Sequence, residues 1–122
     1  MNVEISRRTA LTRLVASAIA GSTLLRAQDG RIRDLVARVQ DDLQRAADFT
    51  RNNEKERERY HNVQHHLSEF DRELRVGKFD KGKLEDAIDD LKNVVKNNTL
   101  EARDRDALAV DLSDLRTMRD MR

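Results

Sequence analysis

Apolar side chains recur three or four residues apart in four separate stretches of this chain, the spacing of amphipathic helices. The first stretch predicts a helix from about Arg31 to Thr50, with Asp29 as its N-cap. Its apolar stripe comprises Ile32, Leu35, Val36, Val39, Leu43, Ala46 and Ala47. The second predicts a helix from about Glu54 to Val76, with apolar residues Tyr60, Val63, Leu67, Phe70 and Leu74. This alternation of spacings is typical of the seam of a coiled coil or helical bundle.

The join between these two helices has two interpretations, because residues 51–59 carry no apolar side chain. Asn53 followed by Glu56 forms a capping-box pattern, which favours a turn at residues 51–53. The alternative is one continuous helix with an all-polar middle.

A third helix is predicted to follow Gly77. This glycine is expected to end the second helix in the left-handed conformation. Asp80 then caps the third helix, with Phe79 and Leu84 placed as a hydrophobic staple. Its stripe is Leu84, Ala87, Ile88, Leu91, Val94 and Val95, and Asn97 and Asn98 end it.

The fourth helix is predicted to open on a second capping box, Asn98 with Glu101. Its inner face is Leu108, Leu112, Leu115 and Met118. The chain contains no proline and no alternating β-branched run. The sequence therefore predicts an all-α fold, an antiparallel bundle of about four amphipathic helices over residues 28–122.

Residues 1–27 have the features of an export signal. They combine a basic start, an uncharged run from Leu14 to Leu25 and a small residue, Ala27, at the expected cut site. Ser6, Arg7, Arg8 and Leu11 match the pattern of twin-arginine signals, which this segment resembles. The resemblance implies export and a periplasmic or secreted mature protein.

The N-terminal segment has two alternative interpretations. Leu11, Leu14, Val15, Ala18 and Ile19 also recur at helical spacing, as in an amphipathic helix of a cytoplasmic protein. A membrane anchor is disfavoured, because a bilayer requires roughly 20 apolar residues as helix. We therefore expect no stable membrane insertion after the signal is cleaved.

Charge and cysteine content limit the function. Cleavage after Ala27 leaves 20 basic and 22 acidic side chains of the original 24 and 23, both signs being interspersed along the chain. Such a balance argues against nucleic-acid binding, which requires a basic face. With no cysteine in an exported chain, stability must come from core packing alone.

The histidines are the only candidates for site chemistry. His61 and His65 lie four residues apart and could chelate a divalent metal, with Glu58 and Glu69 as further ligands. Because Tyr60, Val63 and Leu67 occupy the seam, both histidines are expected on the outer surface, which offers no enclosed cage. We therefore predict no catalytic, cofactor or metal-binding residues, and no enzyme.

A resemblance adds to the fold prediction. The segments LSEFDREL (67–74), GKFDKGKLEDAIDDLKNVV (77–95) and RDRDALAVDLSDLR (103–116) resemble uncharacterised small exported helical proteins of bacteria. The resemblance implies a helical fold and export, and no activity.

The function predicted is that of a non-enzymatic exported bundle, acting in protein–protein interaction or as an envelope-stress accessory. The alternative is a periplasmic divalent-metal-binding or metal-sensing bundle. Either a protein partner or self-association fits the pattern, because several apolar residues lie off the narrowest seams: Val36, Phe49, Val94, Val110 and Met121.

Overall fold

The protein is a bundle of four helices. A computed structural model describes the backbone of residues 20–122 and the side chains from Gly30 onward. Its helices are α1 (Ala20–Phe49), α2 (Glu54–Arg75), α3 (Lys81–Asn97) and α4 (Ala102–Asp120). The chain divides between Arg31 and Ile32 into two units, and the bundle is the second, Ile32–Arg122. The all-α prediction is confirmed.

Neighbouring helices in the bundle are antiparallel. On α1 and α2, Arg33 lies 3.7 Å from Asp71, whereas Gln40 donates to the Gln64 carbonyl. Partners between α2 and α3 also run in opposite directions: Lys83 pairs with Glu69, and His66 with Asp90. The α4 helix closes the bundle, because it contacts α3 through Arg119 and Glu85 and contacts α1 through Asp111 and Arg38.

The core follows the predicted stripes. Leu67 and Leu91 are fully buried at the centre, as are the largest apolar residues of all four helices. Leu35, Ala47, Phe79 and Val95 pack against this cluster from its edge. Val36 and Val94, predicted in the apolar stripes but off the narrowest seams, are both buried, so the stripes of α1 and α3 are wider than a two-position seam and these two residues are not available for self-association.

Three helix ends form as predicted. The turn at residues 51–53 is confirmed, and the Asn53 side chain accepts a hydrogen bond from the Glu56 amide at 2.8 Å. Asp80 caps α3 by accepting from the Lys83 amide at 3.1 Å. Gly77 adopts a φ of 87°, and the Gly77 and Lys78 amides return to the Leu74 and Glu73 carbonyls. These two bonds define a Schellman C-cap.

Two predicted caps are wrong. The backbone of Asp29 lies inside α1, because the helix already runs from Ala20. The chain there contains no proline, and aspartate or glycine in a helix interior costs at most about 1 kcal/mol, which a long helix absorbs. Asn98 does not cap α4 either: Glu101 stands at that position without a side-chain cap, while Asn98 turns inward toward α2.

Residues 1–19 of the predicted signal lie outside the described residues. None of the helices in the described part is both long enough and apolar enough to cross a membrane.

Candidate functional site

Buried polar side chains gather where α2 and α4 begin. We call this group the end cluster: Glu56, Tyr60, Asn98 and Asp104, each at least nine-tenths buried. Glu56 and Tyr60 come from the first two turns of α2, and Asp104 from the first turn of α4. Asn98 follows the last residue of α3. The cluster therefore draws on three helices at one end of the bundle.

Glu56 and Asn98 connect α2 to the α3–α4 loop. One Glu56 carboxylate oxygen accepts from the Thr99 amide at 3.0 Å and from the Thr99 hydroxyl at 2.9 Å. The Asn98 side-chain amide donates to the Glu56 carbonyl at 3.1 Å, and its oxygen accepts from Arg59 at 2.9 Å. Buried polar groups bonded in this way fix the position of a loop. Glu56 therefore serves the loop, rather than completing the capping box with Asn53.

Tyr60 has a raised pKa within the end cluster. Burial raises the pKa of its hydroxyl, and the charges of Glu56 and Asp104 raise it further, while the nearby Asn98 amide opposes them. A tyrosine held in its neutral form acts as a hydrogen-bond donor rather than as a nucleophile. The Tyr60 hydroxyl is itself buried without a hydrogen-bond partner among the described residues, so it is the bonds of Glu56 and Asn98 that hold these helix ends together.

The α3 helix end is closed from α4. Arg105 donates to the carbonyls of Val95 and Asn98, two of the acceptors left free in the last turn of α3. A cation at this position also complements the negative end of the helix dipole. The connection at residues 98–101 is thus held from both α2 and α4.

A third buried carboxyl lies at mid-height between α1 and α4. Asp111 is 1% exposed, and its Oδ1 atom accepts from Arg38 at 2.9 Å. Arg38 also donates to Asp114 at 2.6 Å. These bonds raise the pKa of the Arg38 guanidinium, with that to Asp114 the largest cause.

The sequence analysis did not identify the buried acids, although a signal was present. Glu56 continues the α2 seam by one step before Tyr60, and Asp104 and Asp111 occupy the same spacing on α4. When the three- and four-residue spacing of the seam is extended to polar positions, it identifies all three buried acids.

The histidines lie where the seam predicted. His61 and His65 are exposed, and His65 approaches Glu69 at 3.4 Å. His66 faces α3 and is paired with Asp90 at 2.5 Å, so its ring is already engaged. Within residues 30–122, no group of three or more histidine or carboxylate side chains is placed to hold a metal ion.

An open groove of about 920 Å³ lies beside the turn between α1 and α2. Its lining is rich in charged and amide side chains, including Gln44, Asp48, Lys55, His61 and Gln64. Ligand pockets of this size are usually lined mainly by apolar and aromatic residues. The groove therefore has a mixed lining rather than a mainly apolar one.

Large apolar side chains are exposed at the opposite end of the bundle. Val76 is 77% exposed at the end of α2, and Met121 is 70% exposed at the end of α4. Phe79, in the α2–α3 loop, is half-buried: its ring meets Phe70 edge-on and stacks beneath the Arg122 guanidinium at 4.3 Å. We call Val76, Phe79 and Met121 the loop-end patch.

Comparison with known proteins gives no further identification: no protein-family model, curated protein or solved structure matches this chain.

Proposed function

We propose that this protein is an exported, non-enzymatic helical bundle that binds another protein through the loop-end patch. In this role it is an interaction protein or envelope-stress accessory of the periplasm or the secreted fraction. The observation that carries the proposal is the exposure of Val76 and Met121 at one end of an otherwise strongly charged molecule.

The geometry at this end supports a shared surface. Because α2 and α4 run in the same direction, their C-terminal ends lie at the same end of the bundle. Met121 adjoins Arg122, whose guanidinium covers Phe79, and Phe79 is three residues beyond Val76. Scattered apolar side chains are normal on a protein surface, but neighbouring ones rimmed by charge are typical of interaction sites.

Site-specific cross-linking tests this function. A photoreactive amino acid at position 121, in the exported protein, is expected to yield a discrete protein adduct. The substitution Val76→Asp should abolish the adduct, whereas Val110→Asp, on the exposed middle of α4, should leave it unchanged.

Two results would contradict the proposal: no adduct from position 121, or equal loss of the adduct with Val110→Asp. An adduct of twice the chain's mass would identify the partner as a second copy of this protein.

A further inference from the structure

Asp111 has one carboxyl oxygen with a partner and one without. Its Oδ1 atom accepts from Arg38 of α1, whereas Oδ2 is buried and accepts no hydrogen bond from any group in the described part of the chain. A buried polar atom left in this state costs about 1–3 kcal/mol. The arrangement therefore requires an explanation.

A second carboxyl on α1 faces the same region of α4. Asp42 lies one helical turn beyond Arg38 on the same face of α1, and its side chain is only 12% exposed. Its charge and its hydrogen-bonding capacity both raise the pKa of Asp111. Asp42 in turn accepts from Arg45 at 2.9 Å. Two ionised carboxylates in this position could only repel each other.

Charges around the pair do not balance when every group is ionised. The carboxylates of Asp42, Asp111 and Asp114 face the guanidinium groups of Arg38 and Arg45, which leaves one negative charge in excess. The α3 helix also packs on α4, where Glu85 pairs with Arg119 two turns further along. One added proton restores neutrality.

We propose that Asp42 and Asp111 share a single proton when the bundle is closed, and that losing this proton weakens the contact between α1 and α4. A protonated carboxyl can donate to its ionised neighbour, so the proton satisfies the unpartnered oxygen and removes the repulsion. The pair is thus a proton-binding latch between the first and last helices. It is independent of the loop-end patch.

The electrostatics place the latch near neutral pH. Burial raises the pKa of Asp111, and the hydrogen bond and charge of Asp42 raise it further, to about 7, although Arg38 opposes the shift. The folded protein therefore keeps this proton between the ordinary pKa of 3.8 and about 7, whereas the unfolded chain has released it. The stabilisation is fully present below the lower value and is lost as the pH rises through the upper one.

The pH range between 3.8 and about 7 sets the size of the expected effect on stability. Across it, the Asp111 contribution raises the unfolding equilibrium constant by up to about tenfold per pH unit. Above this range the contribution becomes constant.

Carboxyl-detected NMR on the wild-type protein tests the shared proton directly. We expect the Asp111 carboxyl signal to titrate near pH 7, well above the ordinary range of an aspartate. An Asp111 signal that titrates near pH 4 would overturn the proposal.

Urea unfolding at pH 5 and pH 8 provides an independent test with a matched control. In Asp111→Asn the amide can donate to Asp42 but cannot titrate, so the variant should lose most of the wild-type decline in stability between these two pH values. Asp114→Asn removes only a half-exposed partner of Arg38 and should keep the wild-type decline. An equal decline in wild type and Asp111→Asn would refute the latch.

Hydrogen exchange locates the effect. After correction for intrinsic exchange rates, amides of α1 and α4 should lose protection between pH 5 and pH 8 before those of α2 and α3. Equal loss in all four helices would show that the proton does not act on the contact between α1 and α4.

Discussion

Asn98 is the residue on which the α3–α4 connection depends. Its side chain is buried, donates to the Glu56 carbonyl and accepts from Arg59. The neighbouring Asn97 is exposed and bonds only to Asn93, one turn back on its own helix. Adjacent asparagines thus have different roles, one tertiary and one local.

We expect Asn98→Ala to destabilise the bundle by about 1–3 kcal/mol, because it removes the two hydrogen bonds that this buried side chain makes to Glu56 and Arg59. Asn97→Ala is the matched control, and its effect should stay within about 0.5 kcal/mol, as for most surface substitutions. Urea unfolding at a fixed pH measures both. Similar losses for the two variants would contradict the role of Asn98 in holding the loop.

The exposed histidines allow a prediction about metals. His61 and His65 can offer Cu²⁺ or Ni²⁺ only a two-nitrogen chelate on an open helix face. Binding should therefore be weak, should leave Tm unchanged and should disappear on acidification, because a protonated imidazole cannot coordinate.

Calorimetry with a double variant, His61→Ala and His65→Ala, is the control for this prediction. Tight stoichiometric binding that raises Tm and is absent from the double variant would instead favour the metal-binding alternative.

At the residue scale, sequence patterns located apolar side chains better than polar ones. The apolar stripe of α2 was predicted residue by residue because burial of such side chains requires no particular partner. The same Asn-x-x-Glu pattern occurs at Asn53 and at Asn98, yet only Asn53 caps a helix. Such an asparagine can cap the helix that follows it or bond to another helix. The outcome depends on which helix packs beside it, and the local sequence does not give that information.

Among the elements, the two glycines that flank the α2–α3 loop play opposite roles. Gly77 has a φ of 87° and open space around its Cα, so only backbone conformation restricts it. Gly82 lies in the first turn of α3, where an added Cβ would make ordinary contact with the Asp80 carboxylate at 3.4 Å.

Gly77→Ala should therefore destabilise the protein by about 1–2 kcal/mol, the cost of a left-handed alanine. Gly82→Ala should be neutral or stabilising by up to about 1 kcal/mol, since alanine is the better helix former. Thermal unfolding of the two single variants checks the contrast. Destabilisation by Gly82→Ala as large as that by Gly77→Ala would contradict this explanation.

Element boundaries were predictable where a cap or glycine marks them and were missed where no such signal exists. Gly77 and Asp80 mark the α2–α3 connection in the sequence itself. The start of α1 was placed too late because Asp29 resembles a cap. No residue between Ala20 and Arg31 interrupts the helix, so α1 runs through this segment.

On the scale of the whole molecule, export is the prediction with the widest consequence. Protein recovered from the periplasm should lack residues 1–27, and N-terminal sequencing should begin near Gln28. Replacement of Arg7 and Arg8 by lysine should block export if the twin-arginine pattern is functional. Intact Met1 on cytoplasmic protein would refute export, whereas unchanged export of the lysine variant would indicate the general pathway.

Ile32 is the first buried apolar residue in the described part of the chain, and the predicted cut after Ala27 precedes it. Cleavage at that position would shorten α1 without removing any residue of the described core. If the chain is cleaved there, precursor and processed chain should unfold at the same urea concentration. Maturation would then be decoupled from folding, and early or late removal of the signal would give the same domain.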